Sequence, residues 1–78
     1  SEIPLHEDDV QKEATELLEW AMGKLTPEDR MVLELIYLEG LSGKEAADLM
    51  GWSVANIKVR AFRSRKRLQK LLKENIIR

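Results

Sequence analysis

The chain has 78 residues and a formal net charge of −1, which allows one domain with a small core. It contains no cysteine, which excludes disulfide staples and thiolate metal centres, and no apolar run approaches the roughly 18 residues of a membrane span. The near-neutral sum conceals a division: residues 1–55 carry 4 basic and 13 acidic side chains, whereas residues 56–78 carry 9 basic and 1 acidic. Such a split predicts two faces with different partners.

Residues 1–8 read as an acidic leader or linker, and residues 9–78 as the folded domain. The opening Ser1-Glu2-Ile3-Pro4, without an initiator Met, is read as the start of a fragment of a longer protein. A first helix is predicted from about Asp9 to Lys24. Val10, Ala14, Leu17, Leu18, Ala21 and Leu25 recur at helical spacing and make one apolar stripe. Asp8 or Asp9 can cap its start, beside the positive end of the helix dipole.

"TPED" opens a second helix. Thr26 suits the N-cap, Pro27 the first helical position, and Glu28 and Asp29 the first turn. Met31, Val32, Leu33, Leu35, Ile36 and Leu38 make this helix apolar on much of its surface, as a central helix would be. Gly40 should end it in a left-handed conformation. Ser42 with Glu45 three residues later forms a capping box for a short third helix, which stops at Gly51. Ser53 caps a fourth helix that continues to about residue 75 without Gly or Pro. No segment alternates with period two for long enough to be a strand. The expected fold is all-α: a compact four-helix domain with a C-terminal helix-turn-helix and a long recognition helix.

The helix-turn-helix rests on specific residues. Close approach of two helices needs small side chains on the inner face, and Ala46 and Ala47 supply them. The sharp turn needs a residue tolerant of positive φ, and Gly51 stands four positions after Ala47. Val54, Ile57 and Ala61 are the expected apolar anchors of the fourth helix, with Met50 and Trp52 filling the space around the turn. On a helical wheel of about 100° per residue, Val54, Ile57, Ala61, Leu68, Leu71 and Leu72 face the core. Asn56, Lys58, Val59, Phe62, Arg63 and Lys66 lie outside that arc, and Arg60 and Arg65 fall near its edges. Between Lys58 and Lys73 there is no acidic residue. Lys and Arg can donate to guanine O6 and N7, Asn can pair with adenine, and Val or Phe can touch a thymine methyl. Cations at the edges would meet phosphates.

These residues resemble region 4 of bacterial sigma factors of the sigma-70 family, closest to the extracytoplasmic-function (ECF) group. The likeness runs from about Leu25 to Leu72. It is carried by Leu25 and Pro27 before the second helix, by "LEGLSGKEAADLMG", and by "SVANIKVRAFRSRKRL". Ile57-Lys58, Arg60, Arg63, Arg65 and Leu68 follow the family pattern V-K-x-R-x-x-R-A-R-x-x-L. The resemblance implies a domain that binds the −35 element of promoter DNA and docks on the β flap of RNA polymerase core. An anti-sigma factor commonly masks it in the ECF group. Carried over by position, Lys58, Val59, Phe62 and Arg63 would contact bases. Ser53, Asn56, Arg60, Arg65 and Lys66 would contact backbone or flanking bases. A small polar residue is common where Val59 stands, so Val59 would shift the base preference toward apolar contact. Such a protein works in the bacterial cytoplasm.

Trp20 is a candidate surface anchor for a protein partner, with Tyr37 and Met22 as weaker cases, although a place over the edge of the core is the favoured reading for Trp20. His6 has no evident partner, and one His without Cys makes no metal constellation. Ser42 and Ser53 are explained as caps, and no His is placed to activate them. No catalytic site, cofactor, small-molecule ligand or membrane association is expected. Two other readings stay open: a LuxR-like response-regulator output domain, which also binds DNA, and a sigma-like module that contacts only proteins.

Overall fold

The computed structural model describes residues 7–76, all helix and connecting turns. Helix α1 spans Glu7–Met22, α2 Pro27–Leu33, α3 Gly43–Met50 and α4 Val54–Ile76. A π-helical stretch, Glu34–Leu38, continues α2. The expected leader lies outside the described residues except for Glu7 and Asp8, which are already helical, so α1 begins before Asp9 and neither Asp8 nor Asp9 is its N-cap. His6 also lies outside them.

Local chemistry sets most of these boundaries. Thr26 Oγ1 accepts from the Asp29 N–H at 3.2 Å and starts α2, with Pro27 behind it. Ser42 and Glu45 form a reciprocal capping box: the Glu45 N–H donates to Ser42 Oγ at 3.0 Å, and the Ser42 N–H donates to Glu45 Oε1 at 2.8 Å. Gly51 ends α3 at φ +71, and the Trp52 N–H returns to the Ala47 carbonyl at 3.0 Å. This is a Schellman-type end, whose left-handed residue favours Gly. Ser53 Oγ then accepts from the Asn56 N–H at 3.1 Å and opens α4.

The core has two parts. The larger one holds Val32, Ala46, Ala47, Ile57 and Ala61, flanked by Leu35, Ile36, Met50 and Trp52. It lies where α2, α3 and the first half of α4 meet. The second holds Met22, Leu25 and Leu33, flanked by Leu68 and Leu71, and joins the end of α1 to the second half of α4.

Several expectations need correction. Helix two is not one uninterrupted α-helix. Its last turns widen, so that the Glu39 N–H reaches back to the Glu34 carbonyl, five residues earlier, at 2.9 Å. The stripe of α1 is covered only at its end. Ala21 and Leu25 are buried, but Val10 and Leu18 remain exposed because α1's contacts are with the far half of α4. Met22 is buried in the second core, so it is no surface anchor. Val54 does not point into the core. It is 38% exposed and lies over Gly43, where a Cβ would come within 3.8 Å of its Cγ1.

Candidate nucleic-acid interface

The outward face of α4 begins directly behind the Gly51 turn. Lys58, Val59, Phe62 and Arg63 are all exposed on it, together with Asn56 and Lys66. Phe62 is 59% exposed, far more than packing would leave an aromatic ring. The Lys66 ammonium lies 5.6 Å from the Phe62 ring centroid, so a cation and an aromatic share one patch. What holds this face outward is the opposite side of α4, where Ile57, Ala61 and Ser64 are buried. The short side chains of Ala46, Ala47 and Ala61 let α3 and α4 approach closely enough to make a rigid pair.

Charge on this face is not neutralised by any described carboxylate. Among the described residues the ion pairs are Arg30 with Glu34 and Arg60 with Asp29. Lys58, Arg63, Arg65, Lys66, Arg67, Lys70 and Lys73 therefore form no salt bridge to a described carboxylate. All described acids but Glu74, near the end of α4, lie before Ser53. The surface can attract a polyanion at one side and repel it elsewhere.

Three of the expected flanking contacts have other engagements. The Ser53 hydroxyl is occupied as an acceptor in the cap of α4. Arg65 leans away from the outward patch and donates a long bond, 3.4 Å, to the Tyr37 hydroxyl. Arg60 is only part-exposed: its guanidinium bonds Asp29 Oδ1 at 2.9 Å and stacks on Trp52 at 5.2 Å from the ring centroid. Thirty-one positions separate Asp29 from Arg60, and nothing in the sequence links them; Asp29 read only as a first-turn acid.

A second surface lies where α1, the π-helical stretch and the second half of α4 meet. Leu18, Met22, Leu33, Tyr37, Leu38 and Leu68, with Arg65, line an apolar groove. Tyr37 and Leu38 are exposed, with Leu38 at 69%. Here Tyr37 has the groove setting that a partner anchor needs. Trp20 sits apart from it, half-exposed, beside Leu71 and Glu74, with the Lys24 ammonium 5.4 Å from its ring centroid. Sequence reasoning passed over Leu18 and Leu38 as groove walls. It also passed over Ser64, which stands seven residues after Ile57 on the same helix face and is 1% exposed with no hydrogen-bond partner for its Oγ.

Among the described residues one acid is shifted. Glu45 is held below its ordinary carboxylate value by the backbone N–H of Ser42, then by the Ser42 side chain. It serves the cap of α3 and makes no catalytic pair. Among the described residues no cluster of three or more His, Asp or Glu could hold a metal ion, and no helix is long and apolar enough to cross a membrane.

No curated protein matches the chain. The family model for sigma-70, region 4, matches residues 15–68, a span that takes in the end of α1, all of α2 and α3, the Gly51 turn and the outward face of α4. The chain therefore belongs to the sigma-70 region 4 family, the helix-turn-helix domain with which sigma factors recognise the −35 element of promoters.

Proposed function

We propose that this chain is the promoter-reading domain of an ECF-type sigma factor in the bacterial cytoplasm, reading bases through Lys58, Val59, Phe62 and Arg63 of α4. The observation that carries this reading is their joint exposure on the helix behind the Gly51 turn, with no acid between Lys58 and Lys73. Lys58 and Arg63 would donate to guanine edges, and Val59 and Phe62 would meet thymine methyls. Asn56 and Lys66 flank them and would hold phosphates or neighbouring bases. The family match disfavours the response-regulator reading, and the unpaired cations disfavour a module that contacts proteins alone.

Docking on the β flap belongs to the same proposal. The apolar groove beside Tyr37 supports it, because the apolar side chains of Leu18 and Leu38 and the ring of Tyr37 are exposed there. An anti-sigma factor that masked the domain would compete for this groove.

The test is selection from a pool of random duplexes at two salt concentrations. A short motif should be enriched, and Lys58→Ala should relax preference at one or two positions, at a cost of about 1–3 kcal/mol for the motif. Binding without enrichment would reduce α4 to a basic helix on phosphates. Separately, Leu38→Ser should weaken capture of a β-flap segment and leave the selected motif unchanged.

A further inference from the structure

Arg60 differs from the other cations of α4. Its side chain is 38% exposed and its partner Asp29 19% exposed, and the two meet at 2.9 Å across α4 and the first turn of α2. Both ends of the contact are anchored. The Asp29 backbone N–H is bound by Thr26 Oγ1 at 3.2 Å, so this carboxylate stands on a capped turn. On its other side the guanidinium lies against Trp52, 5.2 Å from the ring centroid. The Trp52 backbone N–H donates to the Ala47 carbonyl at 3.0 Å. One guanidinium thus joins α2, the turn of the helix-turn-helix, and α4.

Resting on the DNA reading above, we propose that the Asp29–Arg60–Trp52 joint is a positioning device that sets the angle of α4 in the groove, and that Asp29 thereby determines base specificity without touching DNA. Base contacts tolerate errors of only about 0.5 Å or 10–20°. Arg60 lies on the flank of α4, two and three positions from Lys58 and Arg63, so rotation about the helix axis is the motion that its contact resists. A planar guanidinium held by a carboxylate on one side and an indole face on the other has little freedom. If Arg60 left for a phosphate, the part-buried Asp29 carboxylate would lose its counter-ion, which is costly in such a site. Arg60 is therefore a positioning residue and not a phosphate ligand.

The two assignments predict opposite signs for one substitution. Asp29→Asn removes a negative charge. If Arg60 served phosphate, that change would leave DNA binding equal or tighter, with the same motif. If the joint positions α4, Asp29→Asn lowers the ratio of best-site to random-sequence affinity by roughly tenfold. The salt dependence of affinity stays unchanged, because no phosphate contact is lost. Arg60→Ala does the same. Lys66→Ala, as the contrast, makes the salt dependence shallower by about one contact and keeps the motif.

The experiment is duplex selection and salt titration with this chain and its variants, at a temperature where circular dichroism shows each variant fully helical. Loss of discrimination in Asp29→Asn at unchanged salt slope, with recovery in Asp29→Glu, supports the joint. An unchanged motif in Asp29→Asn, or a shallower slope in Arg60→Ala, overturns it and leaves the DNA reading intact. A loss that tracks melting temperature and is not recovered by Asp29→Glu also overturns it, since the pair would then only stabilise the fold. Failure of the unsubstituted chain to enrich any motif overturns the DNA reading and this inference together.

Discussion

The two ends of this domain are built on different plans. At the helix-turn-helix end the core is closed: Val32, Ala46 and Ile57 are fully buried, and helices α2, α3 and α4 each begin at a side-chain cap. At the α1 end the core is thin: Leu68 and Leu71 are only partly covered, Leu18 is 40% exposed, and a groove stays open between α1 and the π-helical stretch. The first plan suits a surface that must keep its geometry while it reads an edge pattern. The second suits a surface completed by another protein. A π-helical stretch fits the second plan, since its wider turn is a strained form that often accompanies binding sites.

Substitutions can sharpen or break this contrast. Ile57→Ala should cost about 2–5 kcal/mol, a large share of the roughly 4–12 kcal/mol expected for a domain of this size. Urea unfolding measures it, and a cost near zero would mean that the closed end is not closed. Ser42→Ala comes next, at about 1 kcal/mol, through loss of the capping box. It should also change the acid limb. Because Glu45 is held below its ordinary value by Ser42, its contribution is present at neutral pH and lost as pH falls through the lowered folded-state pKa. Glu45→Gln should flatten that part of the stability–pH curve, and an unaltered curve would show that the cap is not closed in solution.

Ser64→Ala is a smaller effect of opposite sign. The buried hydroxyl has no partner among the described residues, and a desolvated polar group is unfavourable. Replacing it should raise stability by up to about 1 kcal/mol, or leave it unchanged if the site relaxes. Smallest of all, Leu18→Ala at the open end should move stability by no more than about 0.5 kcal/mol while weakening partner capture. A loss as large as that of Ile57→Ala would make the groove part of the core.

Much of the fold was legible because its signals are local. Thr26, Ser42, Gly51 and Ser53 each act on backbone groups within a few residues, so their roles follow from short-range chemistry alone. The outward patch of α4 was legible for a similar reason: one helix period sorts Lys58, Val59, Phe62 and Arg63 away from Ile57 and Ala61. The errors share a different cause. Val54 and the first turns of α1 have apolar side chains at the right spacing, yet what covers a stripe depends on where another helix passes. Periodicity names a face and does not say how far its cover extends.

Sequence by itself determined the all-α class, the starts of α2, α3 and α4, the turn at Gly51 and the division of charge along the chain. These depend on propensity, capping and period, which need no knowledge of distant partners. Only the tertiary structure decided that Arg60 is bound to Asp29 and Trp52, that Ser64 is buried without a partner, and that Leu18, Tyr37 and Leu38 share one groove. Those facts depend on helix crossing angles, which are settled by how small residues such as Ala46, Ala47 and Ala61 let backbones approach. An edge position on a wheel is compatible with solvent, phosphate or a carboxylate 31 residues away, and packing chooses among them.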